Sequence, residues 1–281
     1  MNIKVTADST CDLSPALIGE SGIALAPLIV IKDGREHRDG VDIAPSDVFE
    51  HVRRGGALCT TAAPNVEIYR TLFQEQLRTH DAVVHLSIGS EFSSSHPNAC
   101  LAAAEFDTVR VIDTRNVSTG QGLVALKAVE LAGEGMEPDA LCKALDEYAA
   151  RVETSFVIDR LDYMAKGGRC SAIQLLGANL LSLKPCIEVQ KGKLQVVKKY
   201  HGSLERCLRQ YLRERLERRT DIDRSRAFIT HTPMPEEALR AARETVMKLG
   251  GFDRVDETEA GCTISCHCGP GTLGVMFARK G

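Results

Sequence analysis

Short runs rich in apolar residues alternate along the chain with longer stretches whose apolar residues recur every three or four positions. Residues 2–6 read as a first strand and 26–31 as a second, closed by a Lys32-Asp33-Gly34 turn. Helices are expected at 46–53, where Ser46 caps the first turn, and at 64–77, where Pro64 suits the first helical position. Continuous buried strands are expected at 82–87 and 109–113, with a short alanine-rich helix over 97–104 between them. Helical spacing then covers 121–132 and 139–151. Beyond residue 152 the rhythm restarts with a strand at 155–158 and a segment rich in Gly, Ser and Leu between 166 and 182. A hairpin of 185–189 and 194–200 turns at Lys191-Gly192-Lys193, where the glycine supplies a positive φ. An amphipathic helix over 203–218, a strand at 226–231, a helix over 235–249 and the closing strands complete the chain.

This order predicts an α/β fold. The first half should form a mostly parallel sheet with helices on both faces, and the second a smaller mixed sheet. A chain of 281 residues exceeds one ordinary core, so two α/β domains are expected, 1–152 and 153–281. The longest apolar run, 23–31, is broken by Pro27 and is too short to span a membrane. No secretory signal opens the chain, and a soluble cytoplasmic protein is expected.

Near the C-terminus, Cys262, Ile264 and Cys266 alternate with Thr263, Ser265 and His267, and this period of two predicts a strand. Residues 273–277, beyond Gly269-Pro270-Gly271, predict its partner. His267 is then expected on a polar turn at the rim where two strands reverse. That position is open both to a structural imidazole and to a ligand-binding one.

Composition narrows the functions. Trp is absent and aromatic residues make up 5%, which leaves no stacking platform for bases or sugars. A net charge of −3 argues against nucleic acid as a partner. The ten cysteines stand singly in apolar patterns, as do Cys100, Cys142 and Cys207, which is how small core residues are used. A strand would turn Cys266 and Cys268 away from His267, and no second CxxC or HxxxH pair completes a tetrahedral set, so no metal is expected. Arg206, Arg209, Arg213, Arg215, Arg218 and Arg219 interleave with Glu205, Glu214 and Glu217, the pattern of a solvated helix face.

Three loops of the first half place small hydroxyl residues where a strand should give way to a helix. They are Asp8-Ser9-Thr10, Thr60-Thr61 and Ser93-Ser94-Ser95. Each loop on its own is consistent with a plain N-cap. Together, without a lysine in any of them, they suit a carboxylate or a single phosphate in the crevice beyond the strand ends.

The same residues carry a family resemblance. Residues 5–13, Val-Thr-Ala-Asp-Ser-Thr-Cys-Asp-Leu, resemble the DSxxDL opening of DegV-family proteins, the fatty-acid-binding subunits of bacterial fatty acid kinase. Thr61-Ala62-Ala63-Pro64 is similar to their TSQP loop, residues 90–99 to SxxLSGTYQSA, and residues 161–169 to LDYLKKGGR. Residues 177–185 are similar to GxLLNIKP and residues 267–274 to HTGPGALG. The ordered set spans nearly the whole chain.

The resemblance implies two domains enclosing one long-chain fatty acid, such as hexadecanoate, with its carboxylate at the domain junction. The head group's partners would be Thr61, Ser93 and His267, with the amides near Ser94 and Ser95 as further donors, and a nearby carboxylate would favour protonated His267. Leu175, Leu176, Leu180, Leu181 and Leu183 are candidates for the tail's lining. A partner kinase subunit would bring ATP and phosphorylate the held acid to an acyl phosphate for phospholipid synthesis. No cofactor is implied for this chain, which would be a non-catalytic carrier with transient contact to a membrane surface. Lys166 and Arg169 are the candidates for docking the kinase. The chain has no GxxxxGK[ST] loop, and Gly120-Gln121-Gly122 lacks a lysine at the spacing such a loop needs.

It departs from the family pattern at Ala62-Ala63, Ser94, Ser95 and His96-Pro97, which bears on acyl preference. Ser94 stands where a glycine is expected and would strain a backbone that needed positive φ there. Two rival readings use the same residues. A hydrolase would take Ser93 as nucleophile and His267 as base, with Asp8 or Asp113 as orienting acid, although the GxSxG elbow is missing. A triose kinase of the dihydroxyacetone kinase type, a related fold, would capture its substrate on His267.

Overall fold

The computed structural model describes residues 1–174 and 183–281. The first half runs β1 (Ile3–Asp8), α1 (Pro15–Ser21), β2 (Ala24–Ala26), β3 (Ile29–Lys32), β4 (Arg35–Arg38), α2 (Pro45–Arg53), β5 (Thr60–Ala62) and α3 (Val66–Leu77). It continues through β6 (Ala82–Ser87), α4 (Ser95–Ala103), β7 (Val109–Asp113), α5 (Thr119–Gly133) and α6 (Pro138–Ala149). A four-stranded sheet of order β2-β1-β6-β7 is parallel throughout. Tyr69, Phe73 and Ala99 of α3 and α4 cover one face, and Leu123, Leu141 and Leu145 of α5 and α6 cover the other. Both faces are therefore dry, as the apolar runs of β1 and β6 require.

The strand expected over 26–31 is instead two strands in different sheets. Pro27 has no amide to continue a ladder, and the Leu28 amide next to it donates to Ser9 Oγ at 3.1 Å. β3 then joins β4 and β5 in a separate antiparallel sheet of order β4-β3-β5. The helix expected from Pro64 starts at Val66, where Asn65 Oδ1 accepts from the Ile68 amide at 3.0 Å. The one expected from Pro97 starts at Ser95.

The second half runs β8 (Val152–Val157), α7 (Leu161–Gly167), α8 (Ser171–Gln174), β9 (Leu183–Gln190), β10 (Lys193–His201) and α9 (Leu204–Leu216). It ends with β11 (Ile222–His231), α10 (Glu236–Gly250), β12 (Val255–Glu259), α11 (Cys262–Cys268) and β13 (Leu273–Arg279). Its sheet, of order β10-β9-β8-β13-β11-β12, is mixed as expected, with β11 and β12 parallel and the other neighbours antiparallel. In strand number it is the larger of the two, six against four. The β9-β10 hairpin turns at Gly192, whose φ is +76°. Leu208, Tyr211 and Leu212 of α9 pack with Leu239 and Val246 of α10 on one face of this sheet.

The arginine-rich stretch is only partly a solvated face. Arg209 and Arg213 pair along the exposed side of α9. Arg215 and Arg219 instead converge on the half-buried Glu153, with Arg215 also reaching Glu188 and Arg219 reaching Asp221.

The predicted strand at 262–266 is the helix α11. Seven residues are too few to separate a period of two from one of 3.6. On the helix, Cys262 and Cys266 stack toward β3 and α2, Ile264 and Cys268 toward the side of α7, and Thr263 lines up with His267. The start of α11 is held by carboxyl groups from the first half of the chain. Asp39 accepts from the amides of Cys262 at 2.9 Å and Thr263 at 3.2 Å, and Asp12 accepts from the Gly261 amide at 3.0 Å. Both acids are buried, and burial lifts the Asp12 carboxyl to about 8 against the opposing bonds from Ser118 and Gly261. Asp39→Ala leaves two buried amides without an acceptor and should cost about 1–3 kcal/mol, with Asp39→Asn intermediate because it keeps one carbonyl oxygen. Urea unfolding midpoints measure this; an Asp39→Ala midpoint equal to wild type would mean that the cap does not hold α11.

Candidate functional site

A cavity opens between the two halves of the molecule. Its wall is mostly apolar, with Leu28, Ile88 and Phe92 from the first half facing Phe156, Ile264 and Met276 from the second. At its mouth Thr61, Ser93 and His267 are half-buried and Arg169 is exposed, while Ser118, Thr230, Thr232, Thr263 and Thr272 are buried in its wall. Of the leucines expected to line it, Leu175, Leu176, Leu180 and Leu181 lie outside the described residues. Leu183 is buried but not in the wall, and Leu194 is.

Three elements deliver the polar mouth. β5, pinned to β3 by the Val30–Thr61 register, presents Thr61. The last turn of α11 presents His267, and Thr61 Oγ1 lies 2.8 Å from its Nε2, so one donates to the other. The turn before α4 presents Ser93, whose Oγ accepts from the Ser95 amide at 3.2 Å and shares a hydrogen bond with Ser95 Oγ at 2.9 Å. Ser95 is fully buried and Ser94 exposed, and neither borders the cavity. The φ of Ser94 is −73°, so the glycine expected there is not needed for a left-handed turn. Ala62 and Ala63, two of the departures from the family pattern, do border the cavity.

His267 has one side closed off. Its Nδ1 is buried without a partner among the described residues, and a Cβ on Gly167 would overlap the ring at that atom. Burial, then the charge of Arg169, push the imidazole down from 6.5 to about 4, so the ring is neutral in the ligand-free protein rather than protonated. Arg169 is fixed by donating from Nη1 to the Gly167 carbonyl at 2.6 Å and from Nε to that of Phe92 at 3.3 Å. Lys166 sits on the exposed flank and donates to the Leu58 carbonyl at 3.2 Å. Behind the mouth the buried Cys266 thiol pairs with Cys59, and this bond together with burial pushes Cys266 up.

The hydrolase arrangement is not supported by this geometry. Ser93 pairs with Ser95 instead of His267, and the nitrogen that an orienting acid would hold faces Gly167. Asp8 is occupied by the Tyr69 hydroxyl and the Ile88 amide, and Asp113 by Ser90 and the Arg115 amide. Sequence reasoning missed Thr263, which borders the cavity, and the capping roles of Asp12 and Asp39. The capping roles had no sequence signal, because the acids lie more than 200 positions from the amides they hold. Among the described residues no group of three or more His, Cys, Asp or Glu could hold a metal ion, and no helix is long and apolar enough to cross a membrane.

The family model described as "Uncharacterised protein, DegV family" matches residues 2–280. The chain belongs to the DegV family. It is 30% identical to a DegV domain-containing protein of Caldanaerobacter subterraneus subsp. tengcongensis, covering 99% of each chain. Among solved structures it resembles a DegV family protein from Thermus thermophilus, described by its fatty acid binding, with a TM-score of 0.89, 32% identity and full coverage of both chains. DegV from Bacillus subtilis, described as a fatty acid binding protein, matches with a TM-score of 0.82 and 26% identity over the whole of both chains.

The shielded imidazole of this DegV chain makes a prediction about pH. The unfolded chain takes up a proton near pH 6.5 that the folded chain refuses until about pH 4. This contribution to stability is full above pH 6.5 and is lost as the pH falls through that window. His267→Gln should flatten this part of the stability curve by a few kcal/mol relative to wild type. Parallel wild-type and variant curves from denaturant titrations at stepped pH would show that the folded chain takes up this proton as readily as the unfolded one.

Proposed function

We propose that this chain binds one long-chain fatty acid and presents its carboxylate to a partner kinase subunit for ATP-dependent phosphorylation to an acyl phosphate. It is then a cytoplasmic carrier in phospholipid synthesis, collecting and delivering lipid in transient contact with a membrane surface and doing no chemistry itself. Residues 1–152 and 153–281 act as two α/β units with the ligand between them. The observation that carries this is a mostly apolar cavity bordered by two half-buried hydroxyl residues and an imidazole, Thr61, Ser93 and His267, that can meet one anion. Relatives described as fatty acid binding proteins share the fold over the full chain length.

The carboxylate sits between Thr61, Ser93 and His267. Thr61 turns its hydroxyl from the imidazole toward the acid, and Ser93 does the same from Ser95. The arriving negative charge raises the affinity of His267 for a proton and offsets the field of Arg169. A buried carboxylate without such donors would cost several kcal/mol, so the head group stays at the mouth. There it is open to attack on the γ-phosphate of ATP bound by the kinase, with Lys166 and Arg169 as the docking cations.

Native mass spectrometry of the purified protein, with lipid extraction, should find one long-chain fatty acid per chain. Thr61→Ala and Ser93→Ala should each weaken retention about tenfold while the fold survives. Protein that neither carries nor takes up a fatty acid sinks the proposal, and wild-type affinity in both variants removes these residues from the site. Lys166→Ala should slow phosphorylation alone, whereas Arg169→Ala should weaken both retention and phosphorylation because its guanidinium borders the cavity. Unchanged phosphorylation in both variants would place the kinase elsewhere.

A further inference from the structure

The stripe of α11 that faces the cavity carries two polar side chains, Thr263 and His267, one turn apart. His267 is paired at Nε2. Thr263 Oγ1 is buried and has no hydrogen-bond partner among the described residues, in a residue only 4% exposed. The helix cannot supply one. A threonine inside a helix bonds back to the carbonyl four residues earlier, but Thr263 is the second residue of α11, and Glu259 belongs to β12.

The other hydroxyls of the cavity's inner wall are occupied. Ser118 donates to Asp12, Thr230 pairs with Thr119 and Thr258, Thr232 donates to the Gly269 carbonyl and Thr272 to that of Cys268. Among the described residues, Thr263 is the wall hydroxyl left without a protein partner. An unpaired alcohol in a dry pocket is a penalty that a valine of the same shape would not incur.

Depth separates Thr263 from the head-group site. Thr61, Ser93 and His267 keep partial exposure at the mouth, whereas Thr263 shares the inner wall with Phe156 and Met276, 6% and 3% exposed. One turn of α11 spans about 6 Å, the reach of a few carbons of an acyl chain. A ligand oxygen that meets Thr263 therefore lies beyond the carboxylate, on the early part of the tail.

We propose that Thr263 selects fatty acids bearing a hydroxyl or oxo group on the first few carbons after the carboxylate, by a hydrogen bond to that oxygen. This rests on the fatty-acid reading of the cavity and adds the substrate class. The test uses delipidated full-length protein carrying a fluorescent fatty acid, displaced by hexadecanoate and by 2-, 3- and 5-hydroxyhexadecanoate. At least one hydroxy acid should bind about tenfold more tightly than hexadecanoate. Thr263→Val should erase that preference and leave hexadecanoate binding within about twofold, while Thr263→Ser keeps the preference. The proposal is overturned if no hydroxy acid is preferred, if the preference survives in Thr263→Val, or if hexadecanoate binding itself falls in that variant, which would assign Thr263 to the carboxylate. Failure of hexadecanoate to displace the probe from wild type would instead sink the carrier reading. Ligand-free Thr263→Val should melt no lower than wild type, and a lower melting temperature would reveal a hidden protein partner for the hydroxyl and overturn the proposal.

Discussion

The site depends on how a seven-residue helix is held at both ends. At its start, Asp39 and Asp12 accept the amides of Cys262, Thr263 and Gly261, and at its last turn Thr61 meets His267. All three outside partners come from the first half of the chain, whereas α11 follows directly on a strand of the six-stranded sheet. The helix is therefore a tie between the halves as well as a wall of the cavity. Burying two carboxyl groups near each other is unfavourable, and the upward push on Asp12 registers it. The cost is offset because the amides at a helix start have no partners of their own, and each would be a buried orphan without these oxygens.

The same tie explains why His267 is neutral. Burial of the ring, with Gly167 closing against Nδ1, disfavours the charged form, and the nearby charge of Arg169 adds to this. An imidazole in this state cannot repel an incoming acid by tautomeric mismatch, because Thr61 beside it can donate or accept as needed. Ser93 and Ser95 form a second adaptable pair across the mouth. Two pairs whose hydroxyls can reorient, Thr61 with His267 and Ser93 with Ser95, suit an anion that comes and goes. They do not suit a nucleophile, which needs one fixed proton acceptor and a fixed orienting acid.

The parallel half of the fold is legible because β6 is buried along its whole length and β1 over most of it, which leaves short β-rich apolar stretches such as Ala82-Val83-Val84 in the sequence. β4 and β5 are not legible: Arg35–Arg38 and Thr60–Ala62 have no buried residue, and their pairing is dictated by β3. Thr61 and Ser93 could be picked out as hydroxyls at loop ends, yet the meeting of Thr61 with His267 spans 206 positions and leaves no local trace. The period-two reading of α11 put Thr263, Ser265 and His267 on one face. The helix keeps Thr263 with His267 and turns Ser265 away to the Ala260 carbonyl. The GGR segment was read as a docking surface from its charges. That it also touches the cavity follows from Gly167 packing on His267, a contact between α7 and α11 that only the tertiary structure supplies.

Affinity and presentation can then be assigned to different parts of the same ligand. The head-group donors at the mouth, Arg169 among them, are already paired within the protein, so an arriving carboxylate exchanges hydrogen bonds more than it adds them, and its net contribution is small. The tail behaves differently. Burying about fifteen methylenes at roughly 0.8 kcal/mol each supplies up to ~12 kcal/mol against an association cost of ~4–15 kcal/mol. Retention is thus governed by the apolar wall, while the mouth decides which end faces outward. A head group held by exchanged bonds can be released from them one at a time, which is what the proposed presentation to a partner would require.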